Sequence, residues 1–88
     1  MVKPVELKKE LSAASQLVLP ENSGRHYALL VNDGVEDAYI TLGPVAFVNR
    51  GIRLNNGGGS YEINATNLYQ GTISAISTGT PSLLITEW

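Results

Sequence analysis

The chain has 88 residues, a formal net charge of −2 and no cysteine, and only 16% of its residues are charged. This length predicts one small domain, and the absence of cysteine excludes disulfides as a source of its stability. The few basic residues form no stripe interleaved with aromatic side chains, and no apolar run approaches the roughly 20 residues that span a bilayer, so we expect neither nucleic acid nor a membrane as partner.

The first 14 residues predict an extended N-terminal arm. Val5 and Leu7 alternate with Glu6 and Lys8 as in a strand, although residues 7–11 would equally form one helical turn. We interpret residues 1–14 as the arm and residues 15–88 as a β-sandwich domain. The N-terminus lacks the apolar core of a signal peptide, so we expect synthesis in the cytoplasm.

The remaining chain consists of short apolar runs separated by turn residues. Asn32-Asp33-Gly34 is a strong turn signal because Asp and Gly tolerate the positive φ of tight hairpins. No segment shows sustained apolar spacing of 3.6 residues. The predicted strands cover residues 15–19, 26–31, 38–42, 45–48, 52–54, 60–63, 72–77 and 82–88. This pattern predicts an all-β fold, an antiparallel two-sheet sandwich of jelly-roll or related topology.

No group of residues predicts catalysis or ligand chemistry. His26 is the only histidine and no Gly-x-Ser-x-Gly elbow accompanies it. Asp33, Glu36 and Asp37 flank one turn, but they lack the alternating spacing of a calcium loop. The glycine-rich segment 55–59 lacks the Lys-Ser/Thr of a phosphate-binding loop and is interpreted as a turn. We therefore expect no enzyme activity, no cofactor, no metal site and no small-molecule substrate.

The aromatic residues suggest packing more than a binding platform. Most of the four tyrosines, Phe47 and Trp88 fall within predicted strands, which favours core packing over a sugar-binding surface. Trp88 at the end of the chain is expected either to cover a sheet edge or to contact a neighbouring molecule. The candidate interface residues are Val5, Leu7, Leu11 and Trp88.

The order of motifs over residues 25–88 resembles that of small structural proteins of tailed bacteriophages. The motifs are AYITLG at 38–43, GIRL at 51–54, SYEI at 60–63, GTISAI at 71–76 and LLITE at 83–87. The resemblance implies a virion β-sandwich protein of the capsid decoration (cement) type, located on the capsid surface as a homotrimer with the major capsid protein as partner. In that role the arm would add a strand to a neighbour's sheet. A tail, neck or fibre-base structural protein and a carbohydrate-binding or receptor-contacting module remain as alternatives.

Overall fold

The computed structural model describes residues 5–88, and this part of the chain contains eight β-strands and no helix. The strands are β1 (Val5–Glu10), β2 (Gln16–Leu19), β3 (Ala28–Asn32), β4 (Ala38–Thr41), β5 (Ile52–Leu54), β6 (Ser60–Ile63), β7 (Ile73–Ser77) and β8 (Ser82–Glu87). The predicted fold class is confirmed: the protein is all-β, with two antiparallel four-stranded sheets.

The two sheets have the strand orders β1-β8-β3-β6 and β2-β7-β4-β5. The pairing is nested, because the first strand pairs with the last, the second with the seventh, the third with the sixth and the fourth with the fifth. Two further ladders, β3 with β8 and β4 with β7, complete the sheets. The strands that pair are mostly far apart in sequence, so each sheet contains strands from both halves of the chain.

The core lies between the two sheets and is almost entirely aliphatic. In β3, Ala28 and Leu30 are buried whereas Leu29 and Val31 on the other face are only partly covered, as the period of two in a strand requires. Side chains from seven strands and from Leu11 contribute to the same cluster, which comprises Leu11, Val18, Leu19, Ala28, Leu30, Ala38, Ile40, Leu54, Ile63, Ile73, Ala75, Leu83 and Ile85. One continuous core therefore holds the sandwich together.

The prediction of a strand at residues 45–48 is wrong. The segment is a loop, and its backbone groups bond outside any ladder: the Ala46 N–H donates to Ser15 Oγ at 2.8 Å, and the Arg50 N–H donates to the Phe47 carbonyl at 3.2 Å. Pro44 precedes the segment and has no N–H to offer to a sheet. Apolar composition alone suggested a strand where the chain instead crosses the surface.

The predicted N-terminal arm remains a prediction, but the described part of that segment is attached to the sandwich. Val5–Glu10 form the edge strand β1, which pairs along its full length with β8, from Val5 opposite Glu87 to Glu10 opposite Ser82. Leu11 follows and is buried in the core at 1% exposure. Residues 1–4 of the predicted arm lie outside the described residues.

The glycine-rich segment forms the turn between β5 and β6. Gly57 and Gly58 have φ of 72° and 115°, values that side chains with a Cβ rarely adopt. The Gly57 N–H donates to the Gly34 carbonyl at 2.9 Å, the Gly58 N–H to the Asn32 carbonyl at 2.8 Å, and the Asn32 N–H to the Gly59 carbonyl at 2.8 Å. The turn therefore lies against the β3–β4 turn at one end of the sandwich.

Asn32 is the polar centre of that end. Its side chain is fully buried; the amide Nδ2 donates to the carbonyls of Glu36 at 2.7 Å and Leu54 at 2.9 Å, and Oδ1 accepts from the Gly34 N–H at 3.0 Å. One side chain thus joins the end of β3 to the β3–β4 turn and to the end of β5.

Candidate interaction surface

The solvent-facing side of the β1-β8-β3-β6 sheet carries an apolar strip. We call this side the outer face. Leu84 on β8 lies directly opposite Val31 on β3 and Lys8 on β1, and Leu29 lies next along β3 on the same face. Together they form the floor of an open groove of about 460 Å³, lined by Glu6, Leu7, Lys8, Leu29, Val31, Leu84, Ile85 and Thr86. The centre of the groove is apolar and its β1 margin is charged.

A stacked aromatic pair lies at one end of the outer face. The rings of Tyr27 and Trp88 are 4.4 Å apart between centroids, with 25° between their planes. The backbone fixes the pair, because the Trp88 N–H donates to the Tyr27 carbonyl at 3.0 Å and the Tyr27 N–H donates to the Trp88 carbonyl at 2.8 Å. Trp88 is 39% exposed, so its indole continues the apolar surface towards solvent.

A hydrogen bond between Tyr27 and Glu62 fixes the outer edge of the aromatic pair. The Tyr27 hydroxyl donates to Glu62 Oε2 at 2.5 Å, and Asn64 Nδ2 donates to Glu62 Oε1 at 3.0 Å. The bond from Tyr27, followed by the bond from Asn64, holds the pKa of the Glu62 carboxyl below its ordinary value. The same bond to Glu62 is the main reason that the pKa of Tyr27 is raised.

These two pKa shifts predict opposite losses of stability at the two ends of the pH range. The pKa of Glu62 is lowered by folding, so its contribution is present above the unfolded pKa and disappears as pH falls through the folded pKa. The pKa of Tyr27 is raised, so its contribution is present below the unfolded pKa and disappears as pH rises through the folded pKa. We expect the Tyr27→Phe variant to move the Glu62 midpoint up towards its ordinary value in an NMR pH titration, because the Asn64 bond alone remains. An unchanged midpoint would contradict the assignment.

The four predicted interface residues occupy different environments. Val5 and Leu7 are 50% and 40% exposed on β1; Leu7 lies opposite the buried Ile85, so its side chain is on the core-facing side of the sheet rather than on the outer face. Trp88 lies in the aromatic pair at the end of the outer face. Leu11 does not belong to this surface: it packs in the core, because the chain turns inward at the end of β1. In this structure Leu11 offers no surface to a partner.

A buried ion pair with no local signal in the sequence fixes the C-terminal end of the surface. Arg25 is 0% exposed, and its Nε donates to Glu87 Oε2 at 2.6 Å. Its remaining bonds run to three backbone carbonyls: Nη1 donates to Tyr69 at 2.9 Å and Gly71 at 3.0 Å, and Nη2 donates to Pro20 at 2.9 Å. One guanidinium thus connects two loops to the end of β8, next to Trp88.

A second exposed region lies on the loop that follows β4. Val45 and Phe47 are exposed there, and the Arg50 guanidinium carbon lies 5.5 Å from the centre of the Phe47 ring. Arg50 and Arg53 also line a smaller, mostly polar hollow of about 290 Å³ beside Tyr39. This region is smaller and more polar than the outer face.

The residues considered for metal or catalytic chemistry lie in turns and next to strand ends. His26 is exposed, and its backbone N–H donates to the Trp88 carbonyl at 2.7 Å. Asp37 Oδ1 accepts from the Asn56 N–H at 3.0 Å. Within residues 5–88, no three histidine or acidic side chains come together as metal ligands would. The same part of the chain includes no helix with the length and apolar character to cross a bilayer.

No protein-family model, no curated protein and no solved structure matches the chain.

Proposed function

We propose that the chain is a structural protein of a tailed-bacteriophage virion, a capsid decoration (cement) protein that docks on the head surface at subunit junctions through its outer face. The nested strand order supports this proposal. Eight strands in two antiparallel sheets are what a jelly roll requires, an architecture that viral capsid domains use. The apolar strip on the outer face is the observation that carries the docking step.

The composition of the outer face favours a protein partner. An antiparallel sheet of a sandwich commonly has one face on the core and a polar face in water, whereas here Leu29, Val31 and Leu84 form the centre of the solvent side. Glu6 and Lys8 place charges of both signs along one margin. An apolar centre with a polar rim and an aromatic anchor, here Trp88, is the usual anatomy of a protein–protein interface.

The partner in this proposal is the major capsid protein. A shell presents the same junction many times, so each weak contact of a small protein is reinforced by neighbours that dock on the same lattice. Docking also adds stability to an 88-residue chain that has no disulfide. The homotrimer implied by the resemblance remains a prediction, as does the location on the capsid surface.

Binding to purified expanded heads tests the docking surface. We expect Leu84→Asp to weaken binding at least about tenfold, because a carboxylate would replace the apolar centre of a desolvated contact. Val35→Asp is the matched control: Val35 is 82% exposed on the β3–β4 turn, away from the outer face, and this variant should bind as the wild type does. Equal binding by Leu84→Asp, with unfolding curves that show it to be folded, would contradict the proposal.

The alternative of a tail, neck or fibre-base protein uses the same fold at another place in the virion. The copy number of this protein in purified particles distinguishes the head location from the tail location. A copy number on the scale of the capsid subunits indicates the head, and one on the scale of the rings of the tail indicates the tail.

The aromatic pair is the specific observation in favour of a carbohydrate-binding module. An exposed indole can stack on a sugar ring, and Trp88 is the exposed member of the pair. Binding on a glycan array that is lost in Trp88→Ala, together with no binding to heads, would favour this alternative over decoration.

A further inference from the structure

The edge strand β1 has a partner on one side only. It lies at the end of the order β1-β8-β3-β6, pairs with β8, and exposes the side chains of all six of its residues. Alternate backbone N–H and C=O groups of such a strand point away from the sheet and form a template for another strand. Among the described residues no strand lies against this free edge.

The core-facing side of β1 is also uncovered. Leu7 lies opposite Ile85, and residues directly opposite in a ladder share a face. Ile85 is buried in the core, yet Leu7 and its neighbour on the same face, Val5, remain half exposed. The strand therefore extends beyond the cover of the second sheet and leaves apolar side chains there in water.

We propose that two copies of the chain pair edge to edge through β1, antiparallel and about a two-fold axis, so that two four-stranded sheets join into one. A two-fold axis perpendicular to the sheet keeps each residue and its symmetry copy on the same face. Such an axis must therefore pass between a residue and its own symmetry copy, which lie directly opposite each other. The register centred on Leu7 places Leu7 opposite the Leu7 of the second copy, on the apolar and uncovered side.

The charges of β1 complement each other in this register. With Leu7 at the centre, Glu6 of each copy lies opposite Lys8 of the other, which gives two cross-strand pairs of opposite charge on the outer face. Opposite charges that face each other across an antiparallel ladder stabilise it, and like charges destabilise it.

The neighbouring registers bring like charges together. Centring the axis on Glu6 places two glutamates opposite each other. Centring it on Lys9 opposes two lysines; it also pairs Lys8 with Glu10, but it leaves only residues 8–10 of β1 in the ladder, because Leu11 is buried in the core. Centring it on Lys8 opposes two lysines and also places Glu6 opposite Glu10. Charged residues on edge strands commonly prevent unwanted pairing. On β1 the register centred on Leu7 joins residues 5–9 without opposing like charges, and no other centre joins as much of β1 without opposing them.

This contact is independent of the proposed function and can be tested in solution without a shell. It would place two outer faces side by side on one continuous sheet, with both grooves facing the same way. A two-fold contact also differs from the predicted homotrimer, so a single measurement of mass separates the two.

Sedimentation equilibrium of the wild type and of charge variants tests the pairing. We expect the wild type to reach twice its monomer mass of 9.4 kDa with rising concentration. The dimers of the Glu6→Lys and Lys8→Glu variants should each have a dissociation constant at least about tenfold higher. Each substitution places two side chains of like charge opposite each other at two positions of the interface. An equimolar mixture of these two variants should form a heterodimer, and the double variant Glu6→Lys/Lys8→Glu should regain the dimer.

Glu21→Lys is the control, since it makes the same charge change on an exposed loop residue and should dimerise as the wild type does. Unfolding curves would show that every variant is folded. A wild type that stays monomeric at all concentrations, or that forms a trimer, would overturn the proposal. A dimer that neither single charge change weakens would also overturn it.

Discussion

Replacing Arg25 with methionine is expected to lower the free energy of unfolding by about 3–5 kcal/mol, the usual cost of removing one partner of a buried ion pair. The variant would leave the Glu87 carboxylate, whose side chain is 14% exposed, without its cation. It would also leave the carbonyls of Pro20, Tyr69 and Gly71 without their donor. Urea denaturation at neutral pH measures the loss.

Two further variants separate the effect of charge from that of geometry. Arg25→Lys retains the positive charge but cannot reach acceptors that lie in several directions around a planar guanidinium, so we expect it to recover only a small part of the loss. Arg53→Met removes an exposed arginine from β5 and should change stability by about 0.5 kcal/mol or less. Similar losses at positions 25 and 53 would show that the buried network is not a major source of stability.

Asn32→Asp is expected to cost about 3–5 kcal/mol at neutral pH, although the two side chains have nearly the same shape. The substitution replaces the Nδ2 group, which donates to the carbonyls of Glu36 and Leu54, with an oxygen that repels both. It also places an unpaired negative charge in a fully buried position, and leaving such a charge uncompensated costs about 3–5 kcal/mol.

The loss at Asn32→Asp should shrink as pH falls, because a buried carboxyl without a cation has a raised pKa and its protonated form can donate one hydrogen bond. Asn55→Asp, an exposed change in the β5–β6 turn, serves as the control and should be nearly neutral. Thermal unfolding of both variants over a range of pH measures the difference. Equal destabilisation of the two variants would contradict the central role of Asn32.

Local sequence patterns predicted most strands because a short range of residues determines them. The alternation in Ser60–Ile63 and the turn signal after Val31 both depend on close neighbours. The strand predicted at residues 45–48 failed because apolar residues on a surface loop look the same in sequence as a short strand. Strand order was not predictable, since the pairing of β1 with β8 joins the two ends of the described chain.

The candidate surface was predicted only in part, for a similar reason. Trp88 was identified by its position, but its partner Tyr27 is brought to it by the ladder between β3 and β8. The burial of Arg25 was not predictable, because it depends on acceptors far away in sequence. Glu87, 62 positions later, supplies one of them. A lone arginine beside a glycine turn carries no local signal of that burial.

The nested pairing of the strands has a consequence for the order in which the molecule assembles. The innermost pair, β4 with β5, closes only the connection 42–51, whereas β1 with β8 encloses nearly the whole chain. Each inner pair that forms shortens the loop that the next pair must close, so assembly from the inside outwards divides the loop-closure entropy into small steps. β8 binds both β1 and β3, so this sheet cannot be completed until Ser82–Glu87 have left the ribosome. This sheet is therefore completed only after β8 has been synthesised, and in an assembly from the inside outwards β1 joins last.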